Sequence, residues 1–110
     1  MVNPELSIAV TARGSQVTIA AGGDVDFRTA PALLDAAMRV LANRPERLMV
    51  DLGAVTFLDS AGIAALVRIR SEANSAECYV GLIDVPAHVC QVLALTGLTD
   101  FLHVQVQPNT

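Results

Sequence analysis

Apolar and polar or small residues alternate along Leu6-Ser7-Ile8-Ala9-Val10 and again along Gln16-Val17-Thr18-Ile19-Ala20. A period of two predicts half-buried strands. The turn residues Arg13-Gly14-Ser15 between them predict a β-hairpin. Gly22-Gly23 reads as the end of the second strand, and Asp24-Val25-Asp26-Phe27 as a loop. Thr29-Ala30-Pro31 predicts a helix start, with a capping hydroxyl and a proline in the first turn. Leu34, Ala37, Met38 and Leu41 then recur at helical spacing until Asn43-Arg44-Pro45 stops the run.

Leu48-Met49-Val50-Asp51-Leu52 is almost continuously apolar. That suits a central strand covered on both faces and parallel to its neighbour. Thr56 to Gly62 reads as a loop, and the next helix follows, with Ile63, Leu66, Val67 and Arg70 as its inner stripe and the arginine stem along the core edge. The polar segment Glu72 to Glu77 ends that helix. Cys78 to Ile83 is a further buried strand. Asp84-Val85-Pro86 opens a third helix with Val89, Val92 and Leu93 inward and Gly97 as its left-handed closing residue. Phe101 to Val106 is a last short strand. The order ββαβαβαβ predicts an α/β fold: an N-terminal hairpin and about three helices on a mixed, mostly parallel sheet with right-handed crossovers. Functional residues of such sheets gather beyond the carboxyl ends of strands. Gly23 to Phe27 and Thr56 to Gly62 qualify, should be neighbours, and both carry acidic groups.

The 110 residues fit a single domain, with its core at about 6–106. An apolar share of 53% with 16% charged residues is a globular composition. No apolar run approaches the ~20 residues that span a bilayer, so membrane insertion is not expected. Met1-Val2-Asn3-Pro4-Glu5 lacks the basic and apolar parts of a signal peptide, and the expected location is cytoplasmic. A net charge of −4, with arginine the only strong base, argues against a nucleic-acid partner. The aromatic set Phe27, Phe57, Tyr79 and Phe101 is too sparse for a base-stacking platform. Two cysteines and two histidines, widely spaced, do not make a metal site, and no cofactor is expected. Cys78 and Cys90 read as small buried hydrophobes, with a redox-sensing pair as the alternative. Neither His88 nor His103 has a Ser, Asp or Cys placed to complete a catalytic set, so an enzyme is not expected.

The segment Val55-Thr56-Phe57-Leu58-Asp59-Ser60-Ala61-Gly62-Ile63-Ala64 puts a serine where the chain leaves a sheet and begins a helix. Such a serine is expected to cap the helix, stay exposed and be able to carry a phosphate beside the helix dipole. Nothing nearby would activate it as a nucleophile. Asp59 is expected to fix its own loop through backbone N–H groups. Asp26 reads as an exposed loop carboxylate that helps cap the following helix, and Asp24 as a solvated loop charge. Gly62 is expected where backbone must approach closely.

Three segments in this order resemble the STAS domain, and within it the bacterial anti-sigma factor antagonists. Gly23-Asp24-Val25-Asp26 resembles the Gly-Glu-Leu-Asp loop after the second strand. Phe57-Leu58-Asp59-Ser60-Ala61-Gly62-Ile63 resembles the Phe-Met-Asp-Ser-Ser-Gly-Leu segment that holds the phosphorylated serine. Thr96-Gly97-Leu98-Thr99-Asp100-Phe101 resembles the Ser-Gly-Leu stretch closing the third helix. The resemblance runs from about Leu6 to Val104 and implies one STAS domain over 1–110. It implies that Ser60 is phosphorylated by a partner that is both anti-sigma factor and serine kinase. Asp26 would be the loop aspartate beside it, with Asp24, Asp59, Ala61 and Gly62 forming the surrounding contact surface. The unphosphorylated form would bind the anti-sigma factor and free a sigma factor; phosphorylation would block binding, and a serine phosphatase would restore it. The second serine of the family motif is Ala61 here, which leaves Ser60 as the acceptor. The Asp-Ser-Ala-Gly form also resembles STAS proteins of bacterial phospholipid-transport ABC complexes, which carry Asp-Thr-Ala-Gly; there Ser60 would pack against an ATPase subunit without a kinase cycle. A phosphoryl group adds about −1.5 to −2 charges. The free N–H groups of its own helix are expected to receive it.

Overall fold

The computed structural model describes residues 6–107. Eight elements follow one another: β1 (Leu6–Arg13), β2 (Gln16–Val25), α1 (Ala30–Ala42), β3 (Arg47–Leu58), α2 (Ser60–Ser75), β4 (Tyr79–Val85), α3 (Ala87–Leu95) and β5 (Val104–Val106). The alternating segments form the expected hairpin, paired from Leu6↔Gly23 to Arg13↔Gln16. Gly14 takes the left-handed turn conformation, at φ 61°. Every other strand pair is parallel, and the sheet order is β1-β2-β3-β4-β5. The α/β fold read from the sequence is the fold observed.

Two strands run past their expected ends. β2 does not stop at Gly22-Gly23: register shifts at Ala20/Gly22 and Gly23/Asp24 absorb extra residues, and pairing with β3 continues to Val25↔Leu58. β3 therefore extends to Leu58, and Thr56 and Phe57 are strand residues. β4 likewise keeps Asp84 and Val85, which leaves Pro86 as the N-cap of α3. At the other end of α3, Gly97 is left-handed as expected, at φ 74°. The N–H groups of Gly97 and Leu98 close on the carbonyls of Ala94 and Leu93, the Schellman arrangement. The residues 101–103 are turn, so β5 is shorter than expected.

The helix stripes are rotated from those read in the sequence. α1 buries Ala30, Leu33, Ala37, Val40 and Leu41, with Leu34 and Met38 only partly covered. α2 continues through the polar Glu72 and buries Gly62, Ala65, Leu66, Ile69 and Ala73. Small residues on these faces let the helices sit close to the sheet. The core is one cluster in which Ile19, Ala21, Leu48, Val50, Leu52, Val80 and Leu82 meet residues of all three helices, Val89 and Leu93 of α3 included. Those strand residues share one face of the sheet. The alternate positions lie outside that cluster, so β3 is not covered by helices on both faces as expected. There Met49 is buried by strand neighbours, and Tyr79 is sandwiched by Arg47 at 4.6 Å and the ring of His103 at 4.8 Å.

Candidate functional site

The late pairing of β2 with β3 builds the site. Val25 and Leu58 are buried opposite each other, and the N–H of Asp59 donates to the Val25 carbonyl at 3.2 Å. Asp26 and Ser60 therefore leave the same edge of the sheet from adjacent strands. Asp24 is half-buried, and its carboxylate accepts the Thr56 hydroxyl at 2.8 Å, so it is a tie between strands and not a free charge. Gly62 touches this junction from above. A Cβ there would lie 2.5 Å from Leu58 Cδ1 and 2.7 Å from the Val25 carbonyl oxygen, which explains the glycine.

Asp59, and not Ser60, is the N-cap of α2. Its Oδ1 accepts the N–H groups of Ala61 at 2.9 Å and Gly62 at 3.0 Å. Its carbonyl takes the N–H of Ile63. Ser60 is the first helical residue and is exposed. Asp59 already occupies the donors that a phosphate on Ser60 was expected to use. A phosphoryl group there would stay at the surface beside a carboxylate.

Asp26 is the buried charged residue of the described set, 7% exposed. Oδ1 accepts the N–H groups of Arg28 at 2.9 Å and Thr29 at 3.2 Å, and Oδ2 faces the Arg28 guanidinium at 3.3 Å. Burial pushes the Asp26 carboxyl up, but the donors from Arg28 and Thr29 outweigh it and hold the group below the ordinary carboxylate value. The Thr29 hydroxyl does not cap α1. It donates to the Asp24 carbonyl at 2.8 Å and accepts the Asp26 N–H at 2.9 Å, so the loop is held rigid. Two aromatics adjacent in sequence to this junction are exposed, Phe27 at 73% and Phe57 at 50%. An open groove of about 370 Å³ runs from Ser60's helix to α1, lined by Phe27, Pro31, Leu34, Ala61, Ala64 and Arg68. Reading the sequence missed Phe27, Phe57 and Leu34 as surface residues. For Phe27 and Phe57 the signal was a large apolar side chain within two residues of an acidic one.

A family model described as "Mlab, STAS domain" matches residues 8–105, nearly the whole of this framework. The chain belongs to the STAS domain family. A STAS-domain containing protein of Pseudomonas aeruginosa is 30% identical over 86% of this chain and 92% of its own. The anti-sigma-B factor antagonist of Staphylococcus aureus is 24% identical over 90% of this chain and 92% of its own. Among solved structures, an anti-sigma factor antagonist from Mycobacterium paratuberculosis superposes with a TM-score of 0.84 at 27% identity, over 96% of this chain and 90% of that one. The anti-sigma factor antagonist SpoIIAA in its unphosphorylated form superposes with a TM-score of 0.76, over 89% of this chain and 87% of that one. At 14% identity it speaks for the fold.

The cysteines of this STAS domain do not form a pair. Cys78 precedes β4 and Cys90 lies in α3 against the carbonyl of Val85, the last residue of β4. A seven-residue strand separates them, roughly 20 Å at the rise of an extended chain. A disulfide needs Cα atoms within about 7 Å. Burial also pushes both thiols up, against the thiolate form; for Cys78 a backbone hydrogen bond offsets this in part. Cys78 and Cys90 therefore stand too far apart in this fold to bridge, and the redox-sensing alternative does not fit it. His88 is exposed on α3, and His103 is held through Nδ1 by the Val80 carbonyl at 2.8 Å, far from Ser60 in the fold.

Proposed function

We propose that this STAS domain is an anti-sigma factor antagonist that works in the cytoplasm as a switch and not as an enzyme. Its unphosphorylated form binds an anti-sigma factor with serine kinase activity, and a sigma factor is released. Phosphorylation at Ser60 switches it off, and a serine phosphatase resets it. The observation that carries this reading is the exposed Ser60 in the first turn of α2, on a junction capped by Asp59, with an apolar groove that includes Phe27 and Ala61 beside it. The likeness to anti-sigma factor antagonists over most of the chain supports it.

The chemistry follows from the local arrangement. An apolar partner surface packs on Phe27, Phe57 and the α1–α2 groove. A phosphoryl group adds about −1.5 to −2 charges beside Asp59, whose carboxylate already holds the N–H groups of Ala61 and Gly62. Burying that charge without a counterion costs several kcal/mol, on the order of a 100-fold loss of affinity. The fold need not move. Incubation with ATP and each candidate anti-sigma kinase, read by intact mass and site mapping, tests this directly. The expected result is one phosphoryl group on the wild type and none on Ser60→Ala. A wild type that binds no such kinase and gains no phosphate overturns the reading.

A second reading rests on the Asp59-Ser60-Ala61-Gly62 form, which resembles that of STAS subunits in phospholipid-transport ABC complexes. There the same surface seats an ATPase subunit. Co-purification with an ABC ATPase, with no change in mass, would select it.

A further inference from the structure

β1 lies at an edge of the sheet and is bonded on one side only, to β2. Its eight residues keep an unbroken register with β2, without a bulge. Within Leu6–Ala12 there is no charge and no proline. The opposite edge is β5, with only three residues. Natural sheets blunt long edges with charge, proline, bulges or a covering segment, because an open row of N–H and C=O groups recruits another strand. Apart from Arg13 at its end, none of these devices occurs in β1 among the described residues. Val10, paired with the fully buried Ile19, is itself 53% exposed on the helix side of the sheet.

We propose that β1 pairs antiparallel with β1 of a second copy about a two-fold axis through Ala9, joining two sheets edge to edge. The register follows from the side chains. Residues opposite each other in an antiparallel pair share a face, so the axis must fall on a residue and pair positions of like parity. Centred on Ala9, it sets Ile8 against Val10 of the second copy and Leu6 against Ala12, apolar on apolar, on the helix side. On the other face Ser7 meets Thr11, both hydroxyls, and the two Ala9 residues meet at the axis. The edge is thus complementary to itself in size and polarity, as a two-fold interface requires. The pairing reverses the strand direction between copies. The two Ser60 surfaces then point to opposite ends of the joined sheet, so the dimer presents two free docking sites.

Sedimentation equilibrium of the purified full chain, from micromolar to millimolar concentration at low salt, tests the proposal. A reversible monomer–dimer equilibrium is expected. Val10→Lys, on an exposed side chain, should abolish the dimer while circular dichroism stays unchanged. A chain that remains monomeric throughout overturns the proposal. So does a dimer indifferent to Val10→Lys.

Discussion

Asp26 shows how much one buried carboxylate does here. It is held by two backbone N–H groups and a guanidinium, and it fixes the start of α1 beside the Ser60 surface. Its pKa in the fold is depressed, so the sign of its pH dependence is set. The stabilisation is complete above the unfolded value of about 3.9. It is lost as the pH falls through the lower value of the folded state. Asp26→Asn removes the titration and keeps the shape. Thermal midpoints followed from neutral pH to acid should fall less steeply for the variant than for the wild type below about pH 4. Parallel profiles would show that Asp26 is not the group that titrates. The identity of this residue was legible in the sequence, as was its part in capping. Its burial was not, because the donors that surround it come from a turn whose shape depends on Thr29.

At the scale of elements, α2 and the β2–β3 pair form one unit, and Gly62 is where they touch. An added Cβ meets the Val25 carbonyl oxygen at 2.7 Å, a backbone atom inside a paired strand that cannot step aside. Gly62→Ala should therefore cost about 1–3 kcal/mol by overpacking, despite the better helix propensity of alanine. Urea denaturation would register it as a lower midpoint at an unchanged slope. An equal or raised midpoint would mean that α2 can shift on the sheet. The same unit marks the limit of reading elements from the sequence. The hairpin, all three helices and the Gly97 stop were visible as local patterns, because each depends on neighbours within a few residues. The ends of β2 and β3 were not. Gly22-Gly23 and Thr56-Phe57 look like loops by composition, and only pairing between strands, with two bulges and the Asp24–Thr56 bond, keeps them extended. Likewise Ser60 looks like a cap until the Asp59 side chain is seen to fold back onto Ala61 and Gly62.

For the molecule as a whole, the decisive fact is that one core on one sheet face serves all three helices. The opposite face carries Tyr79, the chain's only tyrosine, with no tryptophan present. Tyrosine emission therefore reports the helix-free face, and far-ultraviolet circular dichroism reports the helices. A fold whose layers shared little would lose the two signals separately. Here Leu48, Val50 and Val80 hold the same strands that carry Arg47 and Tyr79 on the other side, so losing the helix layer leaves that face nothing to rest on. Both probes should follow a single transition. Leu33→Ala in α1 and Leu93→Ala in α3, each at a fully buried position, should lower that one transition by about 2–5 kcal/mol. Separate transitions by the two probes, or a variant that shifts only the circular dichroism, would break the single-core account. It would also remove the rigid frame on which the Ser60 junction depends, since a switch that acts by charge at a fixed surface needs a fold that does not yield to it.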